Sequence, residues 1–368
     1  MIRDFVKQIP TGSKVAIFGA GIAGCGIKQY LEENRKDIKL LYFFDSFVKG
    51  EKEGLKIIDF AEIENYQSNF DILICATRNL LHEIKVIFEY LDISYIAISP
   101  YIEQYFRLKK YIPQQELATK IFSSDEDKNL YNLVWQNRLD STNGKLAEFV
   151  YNKHNISPKT HLRDYGIHYL EHINKNAIST IIDAGFCNGI HSLMFKKEFK
   201  NLKTLYAFEP TYNKFKNRVF DKFIKEANFC KMIELGLWEK ETELVFAENS
   251  NAPSCSRVVL LDDKLKKNET LTKIKTTTID LFRKTIPEKI DLIKMDIEGA
   301  EFPALKGGIE TIKNDRPQLA ISIYHSLEDL IEIPLFLNQE LKNYTFKLGH
   351  YSHTWAETVL YAIPNEIV

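Results

Sequence analysis

At 368 residues the chain is too long for one ordinary hydrophobic core, and two domains are expected. Hydrophobic residues make up 45% and charged residues 27%, with a formal net charge of −1; this is a globular balance that supplies no basic surface for nucleic acid or an anionic membrane. Five cysteines without a CxxC pair argue against a disulfide framework or a structural zinc site, and neither a signal-peptide core in Met1–Pro10 nor a run of about 18 apolar residues occurs, so a cytoplasmic chain without a membrane span is expected.

The first apolar run, Lys14–Phe18, reads as a strand entering the turn Gly19-Ala-Gly-Ile-Ala-Gly24. Helical spacing follows over Gly26–Asn34, and a second strand over Ile38–Phe44 ends at Asp45. Phe70–Ala76 and Tyr95–Ser99 read as further strands, with a helix over Leu81–Leu91 between them. Gly19-x-Gly21-x-x-Gly24 after a strand, with Asp45 closing the next, has the form of a dinucleotide fingerprint. Arg78, just past the Phe70–Ala76 strand, is placed to meet a phosphate in the same crevice. Three readings stand open for this loop: a bound nucleotide or nucleotide-sugar, bound NAD, or glycines kept only for packing. From about Tyr101 to Asn176 the pattern turns helical, with polar breaks at Ser123–Asp127 and Ser141–Gly144.

A second strand-and-glycine start follows, Ser179–Asp183 running into Ala184-Gly-Phe-Cys-Asn-Gly189. Strands are then expected over Leu202–Phe208, Met232–Leu237, Glu243–Ala247, Ile274–Ile279, Ile290–Ile297 and Gln318–Tyr324. Tyr344–Gly349 and Glu357–Ile363 are spaced for a terminal hairpin. The expected fold class is α/β with two Rossmann-like domains, the second a parallel sheet closed by an antiparallel hairpin. The expected divisions are a Rossmann-like nucleotide-binding domain over 1–105, a helical connector and cover over 106–176, and a second sheet domain over 177–368.

Asp183-x-Gly185-x-x-x-Gly189 departs from the spacing that brings a backbone close to a pyrophosphate. It suits a cofactor without phosphate, such as S-adenosylmethionine, whose methionine portion passes close to the loop. Asp183 would then accept hydrogen bonds from the cofactor's amino end or from water beside it, with Gly185, Asn188 and Gly189 forming the wall. Glu209, ending the next strand, is placed to accept both ribose hydroxyls, as an acid about 20 residues downstream does in dinucleotide folds.

Asp183-Ala-Gly-Phe-Cys-Asn-Gly189, Phe208-Glu-Pro210 and Ile290-Asp-Leu-Ile-Lys-Met-Asp-Ile-Glu-Gly-Ala-Glu-Phe-Pro-Ala-Leu-Lys-Gly-Gly308 resemble the FkbM family of methyltransferases. Tyr324-His325 with Asp329, and Glu357-Thr-Val-Leu-Tyr361, fit the same pattern, and the resemblance covers about Ala177–Pro364. It implies a class I methyltransferase fold over the second domain and methyl transfer from S-adenosylmethionine, often to a hydroxyl of a sugar or another secondary metabolite. Phe186 stands where the family usually has a small residue.

An alcohol acceptor is a weak nucleophile and needs a proton acceptor within hydrogen-bond reach. Asp296 and Glu298 at one strand end and His325 at the next are the catalytic candidates; His350 and His353 flank the hairpin turn, and Trp238 and Trp355 are stacking candidates. Glu298 and Glu301 have a competing role as caps of the helix after Gly299. No His and Asp stand at tight ligand spacing, so no metal is expected, although Asp296, Glu298 and His325 could gather a divalent cation. The leading expectation is O-methylation of a small-molecule or carbohydrate acceptor for a bacterial surface polysaccharide or capsule. The alternatives are an NAD-dependent oxidoreductase or epimerase centred on the first domain, and a non-catalytic nucleotide-sensing scaffold. A homo-oligomer is compatible with the sequence.

Overall fold

The computed structural model describes residues 6–76, 81–97, 111–139, 144–154, 168–212, 228–249, 257–259, 269–352, 354 and 356–367. The chain divides into two compact units, one of Met1–Pro113 with Arg138–Thr142 and one of Gln114–Asn137 with Asn143–Val368. Among the described residues no helix is long and apolar enough to cross a membrane.

In the first unit, β1 (Lys14–Phe18), β2 (Lys39–Asp45), β3 (Gly50–Lys52), β4 (Leu55–Asp59), β5 (Ile72–Cys75) and β6 (Tyr95–Ala97) form one sheet in the order β3-β4-β2-β1-β5-β6. All neighbours are parallel except β3, which returns antiparallel on β4. Strand alternation divides the apolar residues between two faces. Val15, Ile17, Phe43 and Ile74 pack with Ala23, Ile27 and Leu31 of the helix Ile22–Asn34. Ala16, Phe18, Phe44 and Leu73 pack with Ile84 and Phe88 of the helix Leu81–Tyr90. The strand order reverses between β1 and β5, and the Gly19 loop leaves β1 at that switch point, where ligands collect in doubly wound sheets. The β3–β4 hairpin was not foreseen, because Gly-Glu-Lys is a short, fully exposed edge with no apolar pattern.

The second unit begins with helices. In the helix Asp125–Leu139, the backbone N–H of Asp127 donates to Ser124 Oγ at 3.0 Å, so the polar break at Ser123–Asp127 is a helix start rather than a gap. Asp127 Oδ1 accepts from the Leu348 N–H at 3.0 Å, and the Tyr131 hydroxyl donates to the Leu330 carbonyl at 2.8 Å. The strands are β7 (Thr180–Ala184), β8 (Thr204–Phe208), β9 (Cys230–Ile233), β10 (Gly236–Leu237), β11 (Thr242–Asn249), β12 (Arg257–Val258), β13 (Glu269–Thr277), β14 (Leu292–Met295), β15 (Gln318–Ser322), β16 (Tyr344–His350) and β17 (Thr358–Pro364).

Seven of them form a sheet in the order β16-β17-β15-β14-β7-β8-β9. The five from β15 to β9 are parallel, and β17 enters antiparallel beside β15 with β16 on its outer edge. Every residue of β7, β14, β15 and β17 is buried, which is why these strands read as continuous apolar runs rather than alternating ones. This is the α/β layout with a closing hairpin that the sequence implied.

Two strand expectations are corrected. Met232–Leu237 is not one strand: β8 ends at Phe208, the Glu209 N–H closes on Ile233, and the chain then leaves to pair as β10 with β13. β10, β13, β11 and β12 make a separate four-stranded sheet. The strand expected over Ile274–Ile279 stops at Thr277, because Thr278 Oγ1 accepts from the Leu281 N–H at 3.0 Å and caps the helix Ile279–Arg283.

Candidate active site

The loop after β7 is built on a buried ion pair. Lys294 on β14 and Asp183 on the neighbouring β7 are both fully buried, and Lys294 Nζ lies 2.9 Å from Asp183 Oδ1. Nζ also donates to the carbonyls of Ala184 at 3.1 Å and Gly185 at 2.8 Å. Asp183 Oδ2 accepts from Ser192 Oγ at 2.6 Å, which ties the strand end to the helix Ile190–Glu198. Both carboxylate oxygens of Asp183 are therefore engaged within the protein. These contacts give Asp183 a part in shaping the loop.

Gly185 has φ +83°, and a Cβ there would stand 1.8 Å from the carbonyl oxygen of Asp296, so only glycine lets the loop pass β14. Asn188 Oδ1 accepts from the Ile190 N–H at 3.2 Å and Gly189 takes the left-handed conformation at the helix start. Phe186 is buried and meets Tyr212 edge-on at 6.0 Å, so it packs beneath the loop.

Glu209 follows β8 and is 9% exposed. Its Oε2 accepts from the Cys187 N–H at 3.2 Å, and its Oε1 accepts from the N–H and the hydroxyl of Thr211 at 3.2 and 2.9 Å. Burial pushes its pKa up, against the pull of those donors and of Lys294. A buried carboxylate beside a glycine-bearing loop fits the ribose of S-adenosylmethionine, but the acceptor capacity is uneven. Oε1 is filled by Thr211 while Oε2 retains room, so a clamp on both hydroxyls requires Thr211 to release its own contact.

The strand ends of β14 and β15 bring Asp296, Glu298 and His325 together. His325 Nε2 is 3.4 Å from Asp296 Oδ1 and 3.7 Å from Glu298 Oε2, and its Nδ1 is 3.0 Å from Glu301 Oε1. Glu301 braces the turn before the helix Glu301–Lys306, which has no side-chain cap: its two oxygens accept from the N–H groups of Ile297 at 2.7 Å and Gly299 at 3.0 Å. Glu298 does not cap; it sits at φ +54° near His325. The Tyr324 hydroxyl donates to Asp296 Oδ1 at 3.2 Å. Burial works against a proton on His325, but Glu301, Glu298 and Asp296 outweigh it and raise its pKa well above the ordinary value. Burial would raise Asp296, yet the charges of His325, Lys294 and His168 hold it below the ordinary aspartate value. For Glu298 burial prevails and the pKa rises. Asp329, raised to about 6 by burial and by Glu301, receives the Ser326 N–H at 3.0 Å.

Other candidates separate from this cluster. His350 faces Thr358 Oγ1 at 2.8 Å and the Thr354 carbonyl at 2.9 Å, so both ring nitrogens serve its own hairpin. His191 packs edge-on against Tyr169 at 5.1 Å. Ser99, Ser141–Asn143, His353, Trp355 and Arg78 lie outside the described residues. Lys294, Ser192, Thr211 and Tyr324 were not singled out from sequence. Lys294 carried a readable signal, since a lysine inside a wholly apolar strand needs a buried partner.

The loop in the first unit repeats the construction. Asp45 Oδ2 accepts from the Ala20 N–H at 2.8 Å, and Oδ1 accepts from Phe47 at 2.8 Å and Val48 at 2.9 Å. Burial opposes the charge on Asp45, but these backbone donors lower its pKa overall. A Cβ on Gly24 would stand 1.8 Å from the Gly19 carbonyl, so packing alone accounts for that glycine. Gly21 has nothing within 4 Å of its Cβ position, and packing does not account for it.

The methyltransferase FkbM domain family matches residues 183–348. A search of curated proteins gave no match. Among solved structures, the chain is similar in fold to a methyltransferase FkbM from Methylobacillus flagellatus KT, with 17% identity and a TM-score of 0.54, covering 98% of this chain and 92% of that one. An rRNA methylase from Streptococcus thermophilus aligns at 14% identity and a TM-score of 0.33, covering 56% of this chain and 97% of that one, too slight a likeness to add weight. The match over β7 to β16 joins the glycine loop, Glu209 and the Asp296–His325 cluster in one domain. Residues 183–348 of the second unit match the methyltransferase FkbM domain, which implies an S-adenosylmethionine-dependent methyltransferase.

Proposed function

We propose that the chain methylates a hydroxyl oxygen of a sugar, or of a sugar-linked or phosphorylated metabolite, in building a bacterial surface polysaccharide or capsule. The observation that carries this reading is the cluster of Asp296, Glu298, Glu301 and His325 at the carboxyl ends of β14, which adjoins β7 and its loop, and of β15, the next strand. S-adenosylmethionine supplies an electrophilic methyl group, so the protein's own task is to align the acceptor and receive its proton. A hydroxyl needs that proton acceptor, whereas a neutral amine needs far less help. Glu298, with its side chain 30% exposed, is the most open carboxylate of the cluster and reaches an incoming hydroxyl most readily. His325 Nε2 lies 3.7 Å from it, with Asp296 beside the same nitrogen. Glu209 and the Gly185 loop orient the cofactor.

The full chain incubated with S-adenosylmethionine and a panel of nucleotide-sugars and sugar phosphates should release S-adenosylhomocysteine and yield an O-methyl product by mass spectrometry. Glu298→Gln should slow that turnover by about 10²-fold or more. Turnover confined to amine acceptors would overturn the hydroxyl reading.

A further inference from the structure

Three donor atoms converge at the ends of β14 and β15: Asp296, Glu298 and His325 each offer one, and all lie within 4.8 Å of one another. His325 Nε2 stands 3.4 Å from Asp296 Oδ1 and 3.7 Å from Glu298 Oε2, yet hydrogen-bonds to neither. The His325 side chain is only 8% exposed, so this nitrogen is a buried polar atom aimed into a pair of carboxylates. A neutral imidazole would set acceptor against acceptor, so the arrangement needs positive charge at its centre, from a proton on His325 or from a cation. A proton on Nε2 would seek one oxygen in line. Nε2 instead lies out of line with both oxygens.

The opposite ring nitrogen faces a fixed carboxylate without an aligned hydrogen bond. Nδ1 lies 3.0 Å from Glu301 Oε1, and Glu301 is fully buried and fixed by the N–H groups of Ile297 and Gly299. A buried carboxylate behind one imidazole nitrogen, with the other directed at further ligands, is how proteins orient a histidine towards a metal ion. We propose that Asp296, Glu298 and His325 bind one first-row divalent cation, of the class that manganese represents, with its remaining positions open to water and to an acceptor hydroxyl. Two carboxylates with one imidazole suit such an ion better than calcium, which takes six to eight oxygens, and three protein ligands leave a site open to substrate. An oxygen held there is polarised and gives up its proton more readily. That role rests on the methyl-transfer reading; binding of the cation does not.

The test uses the full chain, stripped with EDTA and titrated with Mn²⁺, with free ion read by electron paramagnetic resonance and heat by calorimetry. One Mn²⁺ should bind per chain. Affinity should fall at least tenfold in Glu298→Gln and His325→Gln, and by about 10–100-fold in Glu301→Gln, which never touches the ion. Glu298 is partly exposed, so its variant tests the site even if the buried His325→Gln fails to fold. S-adenosylmethionine affinity, measured without Mn²⁺, should be unchanged in Glu298→Gln. No Mn²⁺ bound by the unaltered chain, or equal binding by Glu298→Gln and Glu301→Gln, would overturn the proposal and leave a protonated imidazole at the centre. One Mn²⁺ bound by a chain that takes up no S-adenosylmethionine would support the cation site while overturning the methyl-transfer reading.

Discussion

Lys294 lies in a strand whose every side chain is buried, and its ammonium would be stranded there without Asp183. Removing one partner of a buried pair leaves an uncompensated charge, which typically costs about 3–5 kcal/mol. Lys294→Met should therefore lower stability by about that amount in urea unfolding, and Lys294→Met with Asp183→Leu should recover most of it. A single variant as stable as the unaltered chain would show that the pair does not hold the loop. Residues at this scale were half legible. Glu209, Asp296, Glu298 and His325 were readable as polar residues at the ends of apolar strands. Asp183 was readable as a site residue but not as the partner of Lys294, because the pairing of β7 with β14 joins positions far apart in the chain. Glu301 and Glu298 could not be told apart as brace and cluster member, since that depends on which carboxylate turns back to the Ile297 and Gly299 N–H groups.

Elements are held by a few polar contacts that report on pH. Glu171 accepts from the Tyr351 hydroxyl at 2.7 Å and pairs with Lys153 at 3.0 Å, joining the helix Lys145–His154 to the end of β16. Burial would raise the pKa of Glu171, but Lys153 and Tyr351 outweigh it and hold it below the ordinary value of 4.5. A depressed folded-state value stabilises above that pH and loses the effect as the pH falls through the folded value. Glu171→Gln should destabilise by about 1–3 kcal/mol at neutral pH, with the gap to the unaltered chain closing in acid. A gap that stays constant down to acid unfolding would contradict the ion pair. The central strands were legible because burial on both faces turns them into apolar runs, as in β7 and β17. The separate sheet of β10 to β13 was not, because its boundary at Ile233 is set by where β8 stops and not by any change in local pattern.

At the scale of the whole molecule, the chain carries two glycine loops, each fastened by the acid that ends or follows the next strand: Asp45 to Ala20 in one and Glu209 to Cys187 in the other. The recurrence was visible in the sequence as two strand-and-glycine starts. The Asp183 loop lies in the half that the resemblance covered, about Ala177–Pro364, and the family match covers residues 183–348. The acceptor was not legible, because no contiguous motif in the sequence names it. The most direct measurement is a calorimetric titration of the full chain with S-adenosylmethionine. One site per chain is predicted, with affinity about 10–100-fold weaker in Glu209→Ala, as loss of hydrogen bonds to a charged group requires. No binding by the unaltered chain, or binding that Glu209→Ala leaves untouched, would contradict the account.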